Sequence, residues 1–180
     1  MIKNQIQKPS KIYLFLAYSF IFFSTFILIG YIYPSGNHSQ EVPPILSLID
    51  NTLFTRDFAV QSYLGEGPRK YYQLILVALS KTGLSLEIIF IALFAFSLIS
   101  VIFAIFKIAK LKSSKIWVNS WTSGLILLGW FFFGTKGWGS DLFSGAPVPS
   151  TLAMGIVIWG VYYTLRGKAL IGYIFFGLGG

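Results

Sequence analysis

Long apolar runs separated by short polar intervals dominate this chain. Residues 12–33, 116–133 and 150–165 carry no charge, and 84–106 carries only Glu87, near its first end. A helix rises ~1.5 Å per residue, so about 20 residues cross the ~30 Å hydrocarbon core of a bilayer. The pattern predicts an all-α protein: a polytopic transmembrane helix bundle with four full spans and an incomplete fifth at 169–180. The first run follows a polar head, 1–11, with Lys3, Lys8 and Lys11. It is longer than the ~7–15-residue apolar core of a signal peptide. It ends in Tyr31, Tyr33 and Pro34 rather than at a small-residue cleavage site, so it reads as a retained first span.

The longest polar interval lies between the first two spans. Pro34, Gly36 and Asn37 break the first helix. Pro43 and Pro44 then open a predicted short helix from Ile45 to about Phe54, since proline is tolerated in a first turn. Ile45, Leu48, Ile49 and Leu53 share one face of it, the pattern of a helix lying on a membrane surface. After a second break at Gly65, Gly67 and Pro68, residues 71–79 are apolar but too short to span. They read as a further interfacial helix or a partial dip into the bilayer. A second loop, 134–149, precedes the fourth span, and Arg166, Gly167 and Lys168 form a tight basic turn after it. The last stretch, 169–180, would cover only ~18 Å as a helix; it reads as a re-entrant tail or, the favoured expectation, as the start of a span that continues beyond Gly180. The whole reads as a single membrane domain.

Composition agrees with the pattern. The chain has 180 residues, 55% hydrophobic and 11% charged, too apolar for a soluble domain of this size. No cysteine is present, which excludes disulfides, thiolate metal sites and a cysteine nucleophile. The formal charge of +8 does not form a basic face, so nucleic acid is not an expected partner. The cations sit at the ends of apolar runs instead. With the N-terminus in the cytoplasm and four alternating spans, the inner segments hold nine basic residues and no acid. The outer side holds five basic residues and all six acids, counting Glu87 at its helix end. This positive-inside bias predicts a multi-pass inner-membrane protein with 34–83 and 134–149 on the non-cytoplasmic side.

Four of the six acids and the only histidine fall within 34–70. Asp57 is the first candidate for chemistry. A carboxylate there could accept a proton from an acceptor hydroxyl or help hold a divalent metal, though no clear ligand set supports a metal. Its ordinary reading is a solvated loop aspartate beside Arg56. Asp50, before Asn51 and Thr52, is a second catalytic candidate whose commoner use would be capping. His38 and Glu41, three apart, would share a face if they were helical, but Gly36 and the prolines argue against a helix there. One His and one Glu make a weak metal signal. Arg69 and Lys70 could hold the phosphates of a lipid-linked donor or simply anchor to headgroups. Trp138 and Asp141 could line a sugar site, although an interfacial aromatic belt explains Trp138 more simply.

Asn37-His38, Glu41, Pro43-Pro44, Ile49-Asp50, Phe54 and Asp57-Phe58, followed by Pro68 to Tyr72 and Leu84-Ser85-Leu86-Glu87, form an arrangement that resembles the amino-terminal part of bacterial GT-C class glycosyltransferases. The resemblance covers most of this chain but only the front of such a protein. It implies a first span followed by a large outer loop with interfacial helices and a catalytic acid. The implied donor is a polyprenyl-phosphate-linked sugar. By this resemblance Asp57 carries over as the acid–base or metal-binding carboxylate, with Asp50 behind it. The class often has paired acids in this loop, whereas Arg56 precedes Asp57 here. The expected activity is sugar transfer at the non-cytoplasmic face, with little or none in these 180 residues alone. The competing reading is a small non-enzymatic scaffold or assembly subunit. Transport is disfavoured, because transporters place ionisable groups within their spans.

Overall fold

The structure is a computed structural model, and it describes residues 11–31, 33–34, 38–64, 69–112, 124 and 149–179. The predicted third span, 116–133, lies outside the described residues apart from Gly124. So does the predicted second loop, 134–149, apart from its last residue. The described residues are helical, with no strand among them: α1 (Lys11–Ile29), α2 (His38–Ile49), α3 (Phe58–Tyr63), α4 (Lys70–Ser80), α5 (Leu86–Lys112), α6 (Pro149–Leu165) and α7 (Ala169–Gly179). The all-α expectation is met.

α5 is the one described helix both long and apolar enough to cross a membrane. Its 27 residues reach ~40 Å. The predicted end at Phe106 falls short, because the helix runs on through Lys107, Lys110 and Lys112. Lysine is a good helix former, and the cations in the last turn oppose the negative end of the helix dipole. α1 stops four residues before the predicted Tyr33, at Gly30. α6 and α7 match the predicted runs to within one residue. Between them Gly167 sits at φ +76°, a left-handed conformation that favours glycine. The Lys168 amide bonds the Tyr163 carbonyl and the Gly167 amide bonds that of Thr164, so the end of α6 is closed by a Schellman motif.

α5 organises the rest. α1 lies along it through Tyr18, whose ring stacks on Phe103 at 4.9 Å and meets Phe106 edge-on at 5.1 Å. Leu98, Val101, Ile102 and Ile105 form the core between α1, α5 and α6. α6 crosses α5 closely at Gly155, where the Ser100 hydroxyl donates to the Gly155 carbonyl at 2.5 Å. The Trp159 indole N–H donates to Ser100 Oγ at 2.9 Å. Small residues and hydroxyl bonds at a helix crossing are the means by which apolar helices associate when burial of apolar surface cannot drive them together. Outward, α1 and α5 expose Phe15, Phe20, Phe23, Ile88, Phe96 and Phe103. Exposed apolar side chains grouped in this way mark a surface that contacts a membrane or another protein.

α2, α3 and α4 pack together as a cap at the first end of α5. Ile45, Tyr72, Leu76 and Val77 close against Ile89 and Phe90 of α5. The predicted helix at Ile45–Phe54 is displaced toward the N-terminus. α2 begins at His38 and carries Pro43 and Pro44 inside it. Each proline removes a helical donor. Burial of His38, Glu41, Pro44 and Ile45 in the cap offsets that loss, so tertiary packing overrides the local signal.

Candidate functional site

α2 places His38 and Glu41 one turn apart on its inward face, and both are buried. The His38 ring lies between aromatic neighbours, 5.0 Å from Tyr33 and 4.7 Å from Phe90. Glu41 reaches α4. Its Oε1 accepts from Arg69 Nη1 at 2.9 Å, with the glutamate side chain 2% exposed and the arginine 44% exposed. Its other oxygen, Oε2, is buried and accepts no hydrogen bond among the described residues.

A carboxylate taken out of water resists ionisation, and burial raises the pKa of Glu41 above its ordinary value while Arg69 pulls it back. The Tyr72 hydroxyl is raised as well, first by burial and then by the negative charge of Glu41. Arg69 also lies over the Tyr63 ring, 5.6 Å from its centroid. The guanidinium is therefore held from two sides, by the carboxylate of α2 and by the last residue of α3. Gln73, buried on α4, is in range of the Tyr63 carbonyl at 3.5 Å. These side chains join the three cap helices through polar contacts around one half-exposed cation.

The two candidate catalytic acids sit elsewhere in the cap, each bound into its own turn. Asp57 is the N-cap of α3. Its backbone is extended, and Oδ1 accepts from the Val60 amide at 3.1 Å. Asp50 Oδ1 accepts from the Thr52 amide at 2.9 Å and the Thr52 hydroxyl at 2.7 Å. Those bonds, the hydroxyl first, hold its pKa below the ordinary value. Both aspartates are exposed. Between them Phe54 adopts φ +56°, and its carbonyl accepts from the Asp57 amide and from Gln61 Nε2. Lys70 opens α4 and is exposed. Trp138 and Asp141 lie outside the described residues.

The structure thus brings Arg69 to Glu41, whose one chemical role considered from the sequence was a metal site with His38. Two signals were available: the rarity of acids in so apolar a chain, and an arginine placed just after a Gly-Pro break. Neither fixes a contact across 28 positions. Among the described residues no three His, Cys, Asp or Glu side chains gather to hold a metal ion. No known protein family, curated protein or solved structure matches this chain.

Proposed function

We propose that this chain is a multi-pass inner-membrane protein with a cytoplasmic N-terminus that handles a phosphate-headed lipid at the non-cytoplasmic interface, as the front part of a GT-C-like glycosyltransferase. The observation that carries the reading is the Arg69 guanidinium. It is fixed by the buried Glu41 carboxylate and left half-exposed at the start of an apolar helix. An arginine fork matches phosphate oxygens, and fixing it beforehand lowers the ordering cost of binding. In this reading Arg69 and Lys70 take the phosphate of a polyprenyl-phosphate sugar. Asp57 accepts the proton of the acceptor hydroxyl, and Asp50 stands behind it.

The test is binding of a polyprenyl phosphate to the purified chain in nanodiscs, followed by native mass spectrometry. Arg69→Ala with Lys70→Ala is expected to weaken retention of that lipid at least tenfold relative to a zwitterionic phospholipid. Equal retention by wild type and variant would overturn phosphate recognition. Binding without sugar transfer, in the longest natural form of the protein, would overturn the transferase assignment. A second reading, a non-catalytic scaffold or assembly subunit, draws on Asp57 and Asp50. Both use a carboxylate oxygen to bond their own turns, which is what structural aspartates do.

A further inference from the structure

α4 buries one side and leaves the other open, and the open side is not polar. Tyr72, Gln73, Leu76 and Val77 are buried against α2 and α5. The opposite arc carries Tyr71 at 75% exposure, Leu74 and Ile75 at 46% each, and Ala78. A surface helix of a water-facing domain would place charged or polar groups there. Charges appear only at the ends. Lys70 begins the helix and Lys81 is its C-cap, still in right-handed helical conformation. They are separated by about three turns, so they project from one edge of the open arc, ~16 Å apart along the axis. Arg69 adds a third cation beside Lys70.

We infer that α4 lies in the plane of the bilayer, with its Tyr71–Leu74–Ile75–Ala78 face among the acyl chains and Lys70 and Lys81 reaching lipid phosphates. The partner is the outer leaflet, with anionic lipid preferred. Two features favour lipid over another protein. The first is charge: cations border an uncharged strip, the arrangement in which lysine stems lie along apolar surface while their ammonium groups reach the headgroups. The second is continuity. Leu76 and Val77 pack with Ile89 and Phe90 in the first turns of α5, so α4 sits at the level where the spanning helix enters the membrane. The cap is then partly immersed rather than projecting into water. The inference rests on the membrane reading but not on the transfer reaction.

The absence of native cysteine makes the test direct, because each introduced thiol is unique. Spin labels are placed at Leu74→Cys, Ile75→Cys and Ala78→Cys, with Phe96→Cys on the exposed side of α5 as reference. The full chain is reconstituted in phosphatidylcholine vesicles with and without phosphatidylglycerol. Collision with dissolved oxygen and with a water-soluble nickel chelate is then measured. The α4 labels are expected to favour oxygen over nickel by several-fold relative to free label in buffer. In the anionic vesicles, Lys70→Gln with Lys81→Gln should move the Ile75 label outward, with a smaller shift in phosphatidylcholine alone. Nickel access at all three α4 positions with a lipid-like Phe96 label overturns this inference alone. Protection from both reagents means that protein covers the face, and also overturns it. A water-like Phe96 label overturns the membrane reading and this inference with it.

Discussion

Ser97 and Gly155 set the separation of α5 and α6: a methyl group placed on Gly155 would lie 3.1 Å from the Ser97 Cα. That contact is with backbone, which cannot rotate away. Gly155→Leu is therefore expected to force the two helices apart and to break the Ser100 and Trp159 bonds with them. The loss should appear as a large drop in the thermal or SDS-induced unfolding midpoint in detergent. Ser100→Ala removes only the hydroxyl bonds and is expected to cost about 0.6 kcal/mol, with an upper range near 1.7.

Glu41 predicts an unusual pH dependence of the cap. Burial raises its folded pKa above the unfolded value, so the folded state binds the proton more tightly. Its contribution to stability is therefore fully present below the unfolded pKa and is lost as pH rises through the folded one. Hydrogen exchange of α2 and α4 amides should slow as pH falls from neutral toward the ordinary carboxylate range, after correction for the intrinsic rate. Glu41→Gln is expected to flatten that dependence. An unchanged slope in the variant would assign it to another group.

Removing the other partner is a different experiment. Arg69→Met leaves the buried Glu41 carboxylate without its cation. The expected cost is about 1–3 kcal/mol, the range for a buried group left unsatisfied, and it should exceed that of Glu41→Gln. Protease cleavage within the cap provides the measurement. Cleavage of Arg69→Met no faster than that of wild type would show that the pair contributes little to holding α2 on α4.

Asp57 separates structural from catalytic roles cleanly. Asn caps a helix as well as Asp does, whereas Ala costs about 1 kcal/mol. Asp57→Asn should therefore preserve the cap and Asp57→Ala should weaken it. If transfer activity depends on the carboxylate, Asp57→Asn abolishes turnover without a change in stability. If the residue only caps α3, activity and stability fall together in Asp57→Ala and neither changes in Asp57→Asn.

Asp50 offers a check on the neighbouring turn. Its pKa is lowered first by the Thr52 hydroxyl. Thr52→Val is expected to raise it toward the ordinary value, as followed by the pH dependence of the carboxyl carbon resonance. No movement would show that the side-chain bond is not kept in solution.

The sequence by itself determined the all-α class and the positions of α1, α5, α6 and α7. Hydrophobic runs and Gly-Pro breaks are local properties, and a helix satisfies its backbone without help from distant residues. It also marked the cap as the place where polar groups gather. Only the tertiary structure decided how those groups are used. Pro43 and Pro44 argued against a helix at His38, yet packing against α4 and α5 carries α2 through both. Asp57 stood out by residue type, and its place as the N-cap of α3 came only with the fold. Glu41, whose meaning depends on Arg69, acquired its significance only when α4 folded back onto α2. Pairing across 28 positions depends on the close approach of two helices, and no local spacing rule encodes that.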